Sequence, residues 1–136
     1  MDNNIFELII AIRKKCFENE EKIRNELNLS LAEYNGLLAL NSQTKLFAND
    51  FSKSMGLSPS RGSRVIEKLV KNNFIQVEPV PNNRRSLHVS LSRQGISMQK
   101  KIRKKMEECE KRITANLTKQ QLKQLKANLE MLVGIL

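Results

Sequence analysis

The 136 residues include no tryptophan, one tyrosine, five phenylalanines and one histidine. Proteins that hold single-stranded nucleic acid by stacking need aromatic platforms, so this composition argues against that class. The histidine, His88, is expected mid-strand on the face opposite Leu87 and Val89, as a surface residue. Two cysteines, Cys16 and Cys109, make no disulfide framework. No cysteine–histidine metal spacing and no phosphate-cradling glycine loop is present. Both cysteines fall on apolar helical stripes, where a thiol reads as a small packing residue rather than a reactive one. No catalytic residue, metal site or cofactor is therefore expected, and the chain does not read as an enzyme. Nor does any apolar run approach the roughly 18 residues of a membrane-spanning helix, and no basic leader with a cleavage site opens the chain. A cytoplasmic, reducing location away from membranes is the expectation.

Acidic residues are scarce in one region only. Residues 1–57 hold 7 Lys/Arg and 8 Asp/Glu, residues 58–105 hold 12 and 2, and residues 106–136 hold 5 and 4. The formal net charge of +10 thus comes almost wholly from the middle stretch. A basic patch confined to one motif is an electrostatic footprint for a polyanion.

That stretch has a definite layout. Phe51 and Met55 stand four apart on a short helix, which Gly56 ends because glycine accepts the positive φ of a sharp inter-helix turn. Ser58 and Pro59 restart it, as N-cap and first helical residue. The second helix runs to about Asn72 and closes at Asn73, a residue tolerated in the left-handed conformation. At 100° per residue, Gly62, Val65, Ile66 and Leu69 gather on one side, which must be buried. Ser60, Arg64, Glu67 and Lys71 lie opposite, with Arg61, Ser63 and Lys68 on the flanks. Short hydroxyls and arginines near a helix start are groups that reach base edges and phosphates in a major groove. Two alternating runs, Phe74–Val77 and Leu87–Leu91, follow around a Pro- and Asn-rich turn carrying Arg84 and Arg85. Helix, tight turn, helix and basic hairpin make a winged helix-turn-helix. The candidate DNA-binding residues are Ser58, Ser60, Arg61, Ser63, Arg64, Lys68, Arg84 and Arg85.

The flanks are helical. Ile5, Ile9, Ile12, Cys16, Ile23 and Leu27 mark a long amphipathic helix. Ser30 and Glu33 form a capping box before a second helix carrying Leu31, Tyr34, Leu37 and Leu38. Asn41 to Lys45 is a polar connector, and a third helix is placed near Phe47. After the hairpin, Ser92 can cap a helix bearing Met98, Ile102, Met106, Cys109 and Ile113. Thr118 and Gln121 form another capping box, after which Leu122, Leu125, Leu129, Leu132 and Leu136 step by three and four along one seam. So short a chain offers these terminal helices no other large apolar surface. A homodimer is expected, resting on Ile5, Ile9 and Ile12 with Leu125, Leu129 and Leu132, and presenting two recognition helices to a pseudo-palindromic duplex. Residues 1–29 and 93–136 are read as dimerisation helices and residues 30–92 as the DNA-binding part of a single domain. The fold class is mainly α with a small β-hairpin wing.

Three stretches carry a resemblance: Phe51-Ser-Lys-Ser-Met-Gly-Leu-Ser58, Ser63-Arg-Val-Ile-Glu-Lys-Leu69, and Asn83-Arg-Arg-Ser-Leu-His-Val-Ser-Leu-Ser-Arg-Gln-Gly95. They resemble the MarR (multiple-antibiotic-resistance regulator) family of bacterial transcription factors, in the same order of elements over most of the chain. The last stretch is similar to the family's wing, whose tip usually reads Asp-x-Arg. Arg85 falls on that Arg, and Asn83 stands where the Asp is expected. Asn73 occupies a position where the family commonly has glycine. The resemblance implies a dimer on a palindromic operator, usually a repressor, often released by a small anionic or phenolic effector. A winged helix used only for protein contacts is the alternative.

Overall fold

The computed structural model describes residues 4–136, apart from the side chain of Arg84. The elements run α1 (Ile5–Glu26), α2 (Leu31–Ala39), β1 (Leu46–Phe47), α3 (Ala48–Ser54), α4 (Pro59–Lys71), β2 (Ile75–Val80), β3 (Asn83–Leu91), α5 (Arg93–Ala115) and α6 (Lys119–Ile135). They form two compact units, divided between Arg103 and Lys104.

Local chemistry accounts for the helix boundaries. At α2, the Glu33 N–H donates to the Ser30 hydroxyl (3.2 Å) and the Ser30 N–H donates to the Glu33 carboxylate (3.1 Å). Thr118 and Gln121 repeat this exchange at α6, and Asn4 with Glu7 at α1. Each box satisfies two of the backbone donors that a helix start leaves without an internal partner. Ser58 caps α4 by accepting from the Arg61 N–H, with Pro59 in the first turn. Gly56 and Asn73 take the positive φ values, 69° and 63°, that end α3 and α4. The Ser92 hydroxyl accepts from the Gly95 N–H at the start of α5 and donates to the Asn73 carbonyl, tying that start to the end of α4.

In the first unit the core is made by Tyr34 and Leu37 of α2, Leu40 just past it, Phe51 of α3, Leu69 of α4, Val89 of β3 and Ile102 of α5, all essentially inaccessible. Burying a large apolar side chain contributes about 1.5–3 kcal/mol, so these residues dominate the unit's stability. Two glycines let the helices approach. A Cβ on Gly62 would lie 1.8 Å from the Ser52 hydroxyl, and one on Gly36 would lie 2.7 Å from a Leu69 methyl. The Gln99 amide of α5, itself buried, donates to the Leu37 and Leu40 carbonyls at 2.8 and 2.6 Å. It thereby satisfies acceptors that the end of α2 leaves open.

The sheet is antiparallel in the order β1-β3-β2. Leu46 faces Val89 and Phe47 faces His88 on one side of β3, while Ile75 to Pro79 face Leu91 to Leu87 on the other. Strand β1 is not expected from the sequence, and the hairpin strands are longer than their alternating runs suggest. The sequence also puts Arg84 and Arg85 in the turn, whereas the turn is Pro81–Asn82, with Asn82 at φ 63°, and both arginines belong to β3. The ladder breaks where Pro79, which has no N–H to donate, gives way to Val80. Pro79 faces Leu87 but Val80 faces Asn83, so Arg84, Arg85 and Ser86 stand outside the register.

The second unit holds the end of α5 and α6. Leu122 and Leu132 are half-buried, but Leu125 and Leu129 are exposed, as are Met131, Val133, Ile135 and Leu136. On α1, Ile5 and Ile12 are exposed and Ile9 is half-buried; Cys16, on the same stripe, is exposed and Cys109 is partly so. Among the described residues no helix is long and apolar enough to cross a membrane.

Candidate nucleic-acid interface

Helix α4 presents one face to the core and the other to solvent. Gly62, Ile66 and Leu69 are buried and Val65 is half-buried, as the sequence period requires. Ser58, Ser60, Arg61, Ser63, Arg64 and Lys68 are all exposed. Backbone geometry thus brings four hydroxyl- or guanidinium-bearing side chains to the first two turns of one outward surface. The Ser58 hydroxyl is engaged in the cap and lies 3.3 Å from the Ser60 hydroxyl, so Ser58 serves the helix before it serves any ligand.

Lys68 differs from the others. Its ammonium lies 4.0 Å from the Glu33 carboxylate, which also accepts from the Asn72 side-chain amide at 2.7 Å. Glu33 is buried, and burial by itself would raise its pKa. The Ser30 backbone N–H, the Asn72 amide, the Ser30 hydroxyl and the charge of Lys68 together outweigh that and hold the carboxyl below its ordinary value. One carboxylate therefore joins the start of α2 to the last turn of α4. The sequence marks Glu33 as a capping residue but not for this second role, because its partners are far along the chain and no local pattern connects them.

The wing is braced at its base. Lys45 donates to Glu78 at 2.8 Å, joining the lead-in of β1 to β2, and this contact holds Glu78 below its ordinary pKa. The His88 and Phe47 rings lie 4.8 Å apart. Beyond that brace, the Asn83 carboxamide accepts from the Arg85 N–H at 3.2 Å. Asn83 thus fixes the backbone that carries Arg85, whose side chain is exposed. Between α3, the start of α4 and β3 lies an open cleft of about 580 Å³, lined among others by Asp50, Lys53, Ser63, Ile66, Arg85 and Leu87. It sets Arg85 of the wing and Ser63 of α4 on the walls of one recess.

A model described as the MarR family matches residues 29–87, from just before α2 through most of the wing. This stretch belongs to the MarR family. Solved structures extend the likeness in fold over nearly the whole chain. A mutant of MarR from E. coli is 17% identical with a TM-score of 0.83, covering 98% of each chain. A mutant of MepR from S. aureus bound to an oligodeoxyribonucleotide is 20% identical with a TM-score of 0.70, covering 99% of this chain and 100% of that one. NadR in complex with 4-hydroxyphenylacetate is 18% identical with a TM-score of 0.73, covering 96% and 93%. No curated protein sequence matches the chain. The MarR-family members are transcription regulators rather than enzymes as a rule, and the winged helix described above is their fold.

Proposed function

We propose that this MarR-family chain is a homodimeric, sequence-specific repressor that binds a pseudo-palindromic duplex operator and responds to a small-molecule effector. The observation that carries the reading is the outward face of α4, where Ser60, Arg61, Ser63 and Arg64 stand exposed on a helix locked from behind by Gly62 against Ser52. Arg61 and Arg64 serve as readers of base edges in the major groove, with Ser60 and Ser63 to bases or phosphates. Arg84 and Arg85 reach backbone or minor groove from the wing. Lys68, drawn toward Glu33, adds a phosphate contact at most.

The apolar residues left exposed on α1 and on α6, Ile5 and Ile12 on one and Leu125 and Leu129 on the other, support dimerisation through residues 1–29 and 93–136. Residues 30–92 then form the DNA-binding part. The oligodeoxyribonucleotide-bound MepR structure supports the duplex ligand, and the NadR complex supports an effector. The reading places the protein in the cytoplasm. Selection of bound sequences from a random duplex pool tests it. Enrichment of an inverted repeat with half-sites about one helical turn apart is expected. Recovery of unenriched sequence would instead favour a winged helix used for protein contacts.

A further inference from the structure

The basic stretch does not end with the wing. From Pro79 to Lys105 the sequence has no acidic residue, and α5 carries Arg93, Lys100, Lys101 and Arg103 within the first unit. All four are exposed, and none has an ion-pair partner among the described residues. At 100° per residue they span an arc of about 160° centred opposite Ile102, which is fully buried. The start of α5 is tied to the end of α4 through Ser92, and Gln99 joins the helix to the end of α2. Gly36 of α2 packs on Leu69 of α4, while the carbonyls of Leu37 in α2 and of Leu40 just past it accept hydrogen bonds from Gln99 on the inner side of α5. The cations of α5 therefore point away from the core, and none of them belongs to the outward face of α4.

We infer that the outer side of α5 is a second, sequence-independent contact for duplex DNA, which lets one molecule hold two DNA segments. This rests on the proposed role of α4 only for the segment held there. The chemistry of the ridge selects the partner. No large apolar side chain is exposed on α5 before Met106, so the ridge lacks the buried anchors on which protein interfaces depend. It has no aromatic residue on which unpaired bases would stack. What it offers is a set of exposed cations, which suits the regular phosphates of a duplex backbone and carries no base information.

Two arms test the inference on the full chain. In the first, an Arg61→Ala/Arg64→Ala/Arg85→Ala protein, which lacks three of the cations proposed for α4 and the wing, is titrated with a mixed-sequence 24-base-pair duplex (a length of about two helical turns) at several salt concentrations. Residual binding is expected. Adding Lys100→Gln, Lys101→Gln and Arg103→Gln should flatten the slope of log affinity against log salt by roughly 2 to 3 units, at about 0.9 for each phosphate no longer neutralised. An unchanged slope, or the absence of residual binding, overturns the ridge whatever the fate of α4. In the second arm, protein is captured on an immobilised duplex and offered a labelled second duplex. The parent should retain the second duplex, and the Lys100→Gln/Lys101→Gln/Arg103→Gln protein should release it while keeping the first. Equal retention by both proteins would place the second duplex on another α4 and overturn the inference. So would binding of polyglutamate, but not duplex, to the ridge, which would assign it to an acidic protein. Failure of the parent to hold the first duplex counts against the function proposed for α4, and the first arm still decides the ridge.

Discussion

Glu33 links helix capping to the placement of the recognition helix, and its removal should be felt at both ends. Glu33→Ala deletes the carboxylate that accepts from the Ser30 N–H at 3.1 Å and from the Asn72 amide at 2.7 Å. The cap is worth on the order of 1 kcal/mol, and a hydrogen bond to a buried charge about 1.5–3 kcal/mol. The Asn72 side chain is at the surface and regains water, which brings the second figure to the low end of its range. The pair with Lys68, at 4.0 Å and half-exposed on the lysine side, adds little. Glu33→Ala should therefore lower stability by about 2–3 kcal/mol, a fall in Tm on the order of 10 °C for a chain of this size. Glu33→Gln, which keeps the shape and one acceptor but not the charge, should cost less than half of that. The folded-state pKa of Glu33 is lowered from 4.5, so the unfolded chain takes up a proton there more readily than the folded one. The charge-dependent stability is thus present in full above that value and is lost as pH falls through the folded pKa. Urea unfolding of parent, Ala and Gln proteins at pH 7 and at progressively lower pH reads this directly. If the gap between parent and Gln stayed constant down to full protonation, or if Glu33→Ala unfolded within about 0.5 kcal/mol of the parent, the carboxylate would not be what joins α2 to α4.

Arg61→Ala or Arg64→Ala should weaken binding to the selected operator by about 1–3 kcal/mol and relax base preference at one position, with little change on random duplex; equal binding by both variants and the parent in a gel-shift titration would remove α4 as the reader. Arg85→Ala should lower affinity on every sequence and reduce the salt slope by about one unit, and an unchanged slope would take the wing off the DNA. Leu129→Asp should give monomers in sedimentation at micromolar concentration, since a buried unpaired charge in the seam costs several kcal/mol. A parent that itself sediments as a monomer would refute the dimer.

What can be read from the residues and what cannot divide on range. Ser30 with Glu33, Ser58 with Pro59, and Thr118 with Gln121 announce their helix starts because each cap is satisfied within a few residues. The buried side of α4 follows from its period. Strand β1 gives no such signal: two residues have no period, and Leu46 and Phe47 become a strand only because β3 supplies Val89 and His88 beside them. The turn is misplaced from sequence because Asn82 and Asn83 are both suited to it. The backbone takes Asn82 for the left-handed position and leaves Asn83 to hold Arg85. The reach of Glu33 to Asn72 and Lys68 belongs to the tertiary fold and leaves no trace in either local sequence.

The glycine at position 62 has a consequence for how such a protein changes over generations. Because a methyl group there would collide with Ser52, position 62 is closed to larger residues, and α4 is seated by buried contacts to which Ser60, Arg61, Ser63 and Arg64 are exposed bystanders. Those four positions are thereby released from any duty to the fold. Ser60, Arg61, Ser63 and Arg64 can be exchanged one at a time without moving the axis they stand on. A new operator is then within reach by single surface substitutions, and the scaffold beneath need not be rebuilt to accept it.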